Sequence, residues 1–143
     1  MTLGKIPNTF GATFDGGELI AVKFGYYILN TWVPALDGES REVYAKWLEQ
    51  MDAAESLGFD SLWVTEHHFR HFGGQMPSPS VILAAASQRT KKIKLGAAVS
   101  IIPMHNPLRI AEEFAMVDQM SGGRVCFGAG RGMHPTEYAV FGY

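Results

Sequence analysis

The stretch "KIKLGAAVSIIPMHNPLRIAEEFAMVDQMSGGRVCFGAG", Lys92 to Gly130, contains the pattern that decides the fold. An apolar run of strand length is followed by an Asn-Pro pair, an amphipathic stretch, a Gly-Gly stop and a second apolar run. Both runs are apolar enough to be buried on two faces, and a helix of ordinary length separates them. This arrangement predicts a strand–helix–strand unit in a parallel sheet.

The same order of elements is repeated on both sides of this unit. Apolar runs predict two earlier strands, periodic stretches predict the helices between them, and "PTEYAVFGY" at the end predicts the first turns of a fourth helix. The predicted strands are 22–29, 60–64, 92–102 and 124–130, and the predicted helices start at Arg41, Pro79, Pro107 and Pro135, the first of them capped by Ser40.

Four strand–helix units in series predict an α/β fold of the parallel (β/α)8 TIM-barrel type, with about the first four units present. Polar and Gly-rich residues cluster after each strand, whereas "GAGRGM", residues 128–133, lacks the third glycine of a dinucleotide-binding turn. Residues 22–143 are interpreted as the N-terminal half of a barrel domain, and residues 1–21 as a loosely ordered leader. Because a complete barrel takes about 250 residues, we expect either the first half of a longer chain or two halves that associate.

Composition and charge exclude several other classes of protein. The net charge of −2 and the apolar content of 47% fit neither a nucleic-acid-binding protein nor a disordered chain. No segment approaches the roughly 20 apolar residues of a membrane span, and the first 22 residues lack the pattern of a secretory signal. The single cysteine, Cys126, has no intramolecular partner, so a reducing, cytoplasmic location is expected.

Three titratable residues, Glu66, His67 and His68, directly follow the second predicted strand, with His71 close by. The spacing of His67 and His71 suits a metal on a helix, but the following Gly-Gly pair disfavours a helix, and adjacent residues of an extended chain point to opposite sides. No metal site is therefore predicted. Pairing with Glu66 under the loop is favoured for His68 and His71, whereas an acid/base role is favoured for one inward histidine.

Two further features lie at the same end of the predicted sheet. Arg131, in a Gly-rich turn, offers a planar guanidinium to a phosphate or carboxylate, and a salt bridge with Glu66 or Glu137 is an equal alternative. The small residues from Gly96 to Ser100 leave room for a flat ligand against the backbone, or else they serve tight barrel packing.

The segments "WVTEHHF", "GAAVSIIPMHNPLRIAEEFAMVDQMSGGR" and "FGAGRG", in this order and spacing, resemble the bacterial luciferase-like family of flavin-dependent monooxygenases. The resemblance runs from about Lys23 to Tyr143. It implies a (β/α)8 barrel, usually dimeric, that binds reduced FMN or, in some branches, a deazaflavin coenzyme. With O2 such enzymes oxidise an aldehyde or another small organic substrate, and either a flavin reductase or NAD(P)H oxidised directly supplies the reducing equivalents.

The resemblance also implies roles for individual residues. His67 matches the active-site histidine that acts in acid/base steps, and Glu66 matches its acidic neighbour. The run Ala97, Ala98 and Val99 matches a stretch that often has a non-prolyl cis peptide under the flavin ring, and we expect that bond between Ala98 and Val99.

Two residues of "GRG" complete the implied cofactor site. Arg131 matches a basic residue that lines the flavin site. Gly130 stands where luciferase itself has a reactive cysteine, and this difference favours the broader monooxygenase group over a light-emitting luciferase.

The resemblance implies three alternative functions. The first is a monooxygenase that uses reduced FMN and O2. The alternatives are a deazaflavin-dependent dehydrogenase or reductase on the same scaffold, and a non-catalytic half-barrel that binds flavin or supports assembly. Barrels of this type commonly bind phosphate with loops after later strands, so we expect these 143 residues alone to bind flavin weakly or not at all.

Overall fold

The computed structural model of the protein describes residues 12–15, 18–29, 31–71 and 73–143. The strands are β1 (Ala12–Asp15), β2 (Glu18–Ala21), β3 (Gly25–Ile28), β4 (Ser61–Val64), β5 (Lys94–Ile101) and β6 (Val125–Gly130). The helices are α1 (Pro34–Asp37), α2 (Ser40–Leu57), α3 (Pro79–Arg89), α4 (Pro107–Ser121) and α5 (Pro135–Phe141), and a short 3-10 turn covers Ile102–Met104.

The main sheet has four parallel strands in the order β3-β4-β5-β6. Consecutive strands are neighbours, and α2, α3 and α4 are the crossovers between them, so the predicted parallel strand–helix architecture is confirmed. Strands β1 and β2 form a separate antiparallel pair inside the predicted leader. The rest of that leader lies outside the described residues.

The core lies between the sheet and the helices α2, α3 and α4. Strand residues that alternate toward the helices are fully buried, as are the apolar stripes of the helices themselves. The main contributors are Leu62, Val64, Leu95 and Ala97 from the sheet, and Trp47, Met51, Ile82, Leu83, Phe114 and Val117 from the helices. No helix of the described residues is both long enough and apolar enough to cross a bilayer.

The two outer strands of the sheet each have one neighbour within the described residues. Tyr27 on β3 is 51% exposed and Phe127 on β6 is 49% exposed. An open parallel sheet with half-exposed aromatic side chains on its outer strands is the arrangement expected of four units of a barrel.

The helix ends follow the sequence signals at most positions. The Asn106 side chain accepts hydrogen bonds from the backbone of Leu108 and Arg109, and Gly58 and Gly122 end their helices with left-handed backbone. The assignment of Ser40 as a cap was wrong, because Ser40 is already the first residue of α2. The extended residue before it, Glu39, accepts the first helical hydrogen bonds through its carbonyl.

A buried guanidinium, that of Arg124, closes the amino-terminal end of the sheet between β5 and β6. Only 8% of Arg124 is exposed. Its three nitrogens donate to the Thr90 hydroxyl and to the carbonyl oxygens of Ser87, Thr90, Ile93 and Ser121, at 2.7–3.0 Å. One side chain therefore ties the end of α3, the start of β5 and the end of α4 together.

Candidate active site

A cleft of about 280 Å³ lies at the carboxyl-terminal ends of the parallel strands. Because parallel strands end on the same edge of a sheet, loops that are distant in sequence meet there. The cleft is lined by Tyr27, Thr65, Glu66, His67, Ala98, Val99, Ile101, Arg131, Gly132, Met133 and Glu137. Five residues that the sequence singled out, Glu66, His67, Ala98, Val99 and Arg131, therefore line one cavity.

One wall of the cleft is the end of β5. The peptide bond between Ala98 and Val99 is cis, which confirms the predicted position. Pairing between β5 and β6 shifts register next to it, between Ala97 and Ser100. The structure thus presents a small, largely apolar surface to the cleft at this point.

The other two residues of the predicted cofactor site shape this wall without lining the cleft. Ala97 is fully buried in the core. A Cβ at Gly130 would lie 2.3 Å from Cγ2 of Val99, so a glycine is needed there for the two strands to pair. Gly128 has the same role, because a Cβ there would lie 2.2 Å from the carbonyl oxygen of Ala97.

His67 is held from three sides. Its backbone N–H donates to the Met76 carbonyl at 3.2 Å, and its Nδ1 lies 3.3 Å from Oε1 of Glu137. The ring also packs edge-on against His134, with the ring centres 5.7 Å apart. Gly73 has left-handed backbone directly against this ring, where a Cβ would lie 2.4 Å from Cδ2 of His67. The imidazole is thus fixed in place, yet 20% of the side chain is exposed.

Glu66 is completely buried, and both of its oxygens are bonded. Oε1 lies 3.2 Å from Nε2 of His68 and 2.7 Å from Nε2 of His105, and Oε2 accepts the backbone N–H of Ile101 at 3.0 Å. Burial raises the pKa of Glu66, but the hydrogen bonds from His68, Ile101 and His105 outweigh it and leave the pKa below its ordinary value. The carboxylate joins the loops that follow β4 and β5.

The lowered pKa of Glu66 predicts a loss of stability in acid. Its folded pKa lies below the ordinary 4.5, so its contribution is present above that pH and is lost as the pH falls through the folded pKa. We expect Glu66→Gln to lower the free energy of unfolding by about 1–3 kcal/mol at pH 7. That difference should shrink below pH 4.5, as measured by urea denaturation across the pH range.

The matched control for this prediction is Glu112→Gln. Glu112 is an exposed carboxylate on α4 that pairs with Arg109, and its loss is expected to change stability little. A difference between wild type and Glu66→Gln that stays constant from pH 7 to pH 3 would contradict the role assigned to the buried carboxylate.

Glu137 is the residue of the cleft that sequence reasoning missed as a site residue. It lies on α5, is fully buried, and its Oε1 accepts the backbone N–H of His68 at 2.9 Å while facing Nδ1 of His67. Its Oε2 has no partner among the described residues. From the sequence, Glu137 was expected only as a possible salt-bridge partner of Arg131. Neither Glu137 nor Glu66 makes that bridge, since both pair with histidines.

The remaining histidines have different surroundings. His68 is buried, bonds to Glu66, and packs its ring against Phe141 with the centres 4.8 Å apart, which is the structural pairing that the sequence favoured. His71 lies outside the cleft, with its ring 6.1 Å from that of Trp32. The expected pairing of His71 with Glu66 was wrong, because the oxygens of Glu66 are bonded to His68, His105 and the backbone of Ile101. Within the described ranges, no three His, Cys, Asp or Glu side chains are grouped so that they could hold a metal ion.

Comparison with known proteins identifies the family. The family model described as "Luciferase-like monooxygenase" matches residues 22–143. The chain belongs to the luciferase-like monooxygenases. It is similar to the alkanal monooxygenase alpha chain of the Kryptophanaron alfredi symbiont, with 39% identity over 121 residues, which cover 85% of this chain and 33% of that relative. This luciferase-like chain therefore spans about a third of the length of the relative.

Solved structures show the same relationship and confirm the barrel-type fold of this luciferase-like chain. The monooxygenase RslO1 from Streptomyces bottropensis matches with a TM-score of 0.81 and 33% identity, over 85% of this chain and 36% of that one. A type II Baeyer-Villiger monooxygenase from Pseudomonas putida, in complex with FMN, matches with a TM-score of 0.77 and 25% identity, over 85% and 33%. An F420-dependent secondary alcohol dehydrogenase matches with a TM-score of 0.67 and 30% identity, over 85% and 35%.

Proposed function

We propose that this chain provides part of the active site of a flavin-dependent monooxygenase, the part in which a histidine lies next to the cofactor. The proposed reaction uses reduced FMN and O2 to oxidise a small organic substrate. The observation that supports it is the cleft, in which His67 lies with the wall formed by Ala98 and Val99 and with Arg131. The family and the FMN complex of a similar structure support the same reading.

The residues of the cleft suit FMN chemically. The small wall of Ala98 and Val99 suits the face of a flat ring, and the guanidinium of Arg131, which pairs with no described carboxylate, suits a phosphate. Two buried polar atoms of lining residues, Oγ1 of Thr65 and Oε2 of Glu137, have no partner among the described residues. At the ring edge the Thr65 hydroxyl would donate or accept a hydrogen bond, and Oε2 of Glu137 would accept one. Reduced FMN supplies the electrons with which one atom of O2 enters the substrate and the other leaves as water.

His67 is the residue placed to move a proton. Nδ1 faces Glu137, and Nε2 makes no hydrogen bond with any described residue. An imidazole whose Nδ1–H is held by Glu137 can take a proton at the open Nε2, and the imidazolium that forms can return it from the same nitrogen. In this proposal Glu66 supports His67 indirectly, by holding the loops after β4 and β5 in place.

Titration with FMN tests the proposal. Because only about a third of a family member's length is present, we expect weak binding, with a dissociation constant of roughly 0.1–1 mM, which corresponds to a binding free energy of about 4–5.5 kcal/mol. Quenching of FMN fluorescence measures it. We expect Arg131→Met to weaken binding about fivefold, through loss of a partly exposed charge-assisted bond.

The control is Arg109→Met, which removes an exposed guanidinium on α4, outside the residues that line the cleft. Equal losses of FMN affinity in the two arginine variants would show that the affinity depends only on the overall charge of the protein. Absence of any quenching at millimolar FMN would contradict the proposal for this chain. Binding without turnover of any aldehyde would instead favour a non-catalytic flavin-binding or assembly module.

A deazaflavin-dependent dehydrogenase is the second candidate, and the similarity to the F420-dependent alcohol dehydrogenase favours it. The two reactions differ in their co-reactant: the monooxygenase consumes O2, whereas the dehydrogenase passes a hydride from an alcohol to the deazaflavin. Conversion of an aldehyde to its carboxylic acid with reduced FMN and O2 supports the first, and anaerobic reduction of the deazaflavin by an alcohol supports the second. In the first case a flavin reductase or NAD(P)H is the proposed source of electrons, and a second copy of the chain is the proposed oligomeric partner.

A further inference from the structure

We propose that Glu137 is both a positioning residue for His67 and a ligand-binding residue of the cleft, an inference that rests on the proposed function. Through Oε1 the carboxylate keeps the imidazole proton on Nδ1 of His67. Through Oε2 it accepts a hydrogen bond from an N–H or O–H group of the bound flavin or substrate. Glu137 is thereby the acidic partner of His67, and Glu66 is not.

The geometry at Oε1 determines the tautomer of His67. A backbone N–H can only donate, so the 2.9 Å contact from the N–H of His68 makes Oε1 an acceptor. The same oxygen lies 3.3 Å from Nδ1 of His67. An acceptor at that distance favours the proton on Nδ1 and leaves a lone pair on Nε2.

The geometry at Oε2 points to a ligand. Glu137 is fully buried and lines the cleft, yet Oε2 has no hydrogen-bond partner among the described residues. Buried carboxylate oxygens are costly to leave unpaired. Glu66 provides the contrast, because both of its oxygens are already bonded to protein groups. Of the two buried carboxylates at the cleft, only Glu137 has an acceptor available to a ligand.

Nitrogen-15 NMR of the ligand-free chain tests the first role, because the two imidazole nitrogens have different shifts in each tautomer. We expect wild-type His67 to have its proton on Nδ1. Glu137→Gln should retain that tautomer, since an amide oxygen still accepts, and Glu137→Leu should lose the preference. Glu112→Gln is the control: this exposed carboxylate on α4 lies outside the cleft, so its substitution should leave the ring signals of His67 unchanged. A wild-type His67 with its proton on Nε2 would overturn the positioning role, whether or not the leucine variant folds.

An NMR titration with FMN, followed by the backbone amide chemical shifts, tests the second role, and it can measure weak binding. Glu137→Gln replaces the acceptor Oε2 with an amide donor, so we expect the dissociation constant for FMN to rise about tenfold. Glu112→Gln, on the exposed face of α4, should leave it unchanged. An unchanged constant in Glu137→Gln would overturn the binding role. Failure of the wild-type chain to bind FMN would count against the proposed function instead, because the tautomer is measured without ligand.

Discussion

Replacing His67 by alanine is expected to lower turnover about 10²- to 10⁴-fold, the usual loss when a general acid or base is removed. The imidazole is fixed by Glu137 and His134, and its open nitrogen is the atom proposed to exchange a proton. FMN affinity should change little, because the wall of Ala98 and Val99 and the guanidinium of Arg131 are untouched. The measurement is kcat with reduced FMN, O2 and an aldehyde, in a preparation of this chain or of a longer protein that contains it.

The matched control is His71→Ala. His71 belongs to the same loop but lies outside the cleft, and it bonds to Trp32 through its backbone carbonyl, which the substitution retains. We expect turnover near that of wild type. Equal turnover in the His67 and His71 variants would remove His67 from its proposed role, and a parallel loss of FMN affinity in the His67 variant would make it a binding residue.

Replacing Arg124 by methionine is expected to lower the free energy of unfolding by about 3–5 kcal/mol, a large share of the roughly 5–15 kcal/mol of an ordinary domain. Methionine fills much of the volume but leaves the buried carbonyl oxygens of Ser87, Ile93 and Ser121 without their donor. The Thr90 carbonyl loses its bond as well. Urea denaturation followed by circular dichroism measures the change.

Two further variants make this expectation specific. Arg124→Lys keeps the charge but cannot reach all of the acceptors, so an intermediate loss is expected. Arg109→Met removes an arginine that is 73% exposed and should cost little. If Arg124→Met and Arg109→Met unfolded at the same urea concentration, the buried network would have no net effect on stability.

The elements of the fold were predictable because their signals are local. Apolar runs bounded by glycine and proline marked the strands, and the cap of α4 at Asn106 came directly from an Asn-Pro pair. The errors in the predicted elements were of one to three residues at the ends, and β1, β2 and the short helix α1 were not predicted. At α2 we expected a serine, Ser40, as the cap, but the helix is capped one residue earlier, at Glu39. No side-chain preference of Glu39 specifies that backbone conformation.

The site was predictable only in part, because many of its contacts join residues that are distant in the sequence. The resemblance to the luciferase-like family pointed to His67, which lines the cleft, and to the cis peptide between Ala98 and Val99. The partners of the buried carboxylates depend on how distant loops pack: Glu137 meets His67 across 70 residues, and His105 meets Glu66 across 39. In the sequence His105 is a single histidine after the third predicted strand, and Glu137 is one polar residue near the start of the last predicted helix. Their shared feature is full or partial burial, which appears only when the chain is folded.

The separation of His67 and Glu137 along the chain also has a meaning for protein synthesis. A ribosome adds about 5–20 residues per second, so the 70 residues between them take roughly 4 to 14 s to make. During that interval β4 and its histidine exist without the carboxylate that orients the ring. The nascent chain would therefore have β3, β4 and β5 before it has the carboxylate that faces the histidine, and that contact would form only when α5 packs against the loop after β4.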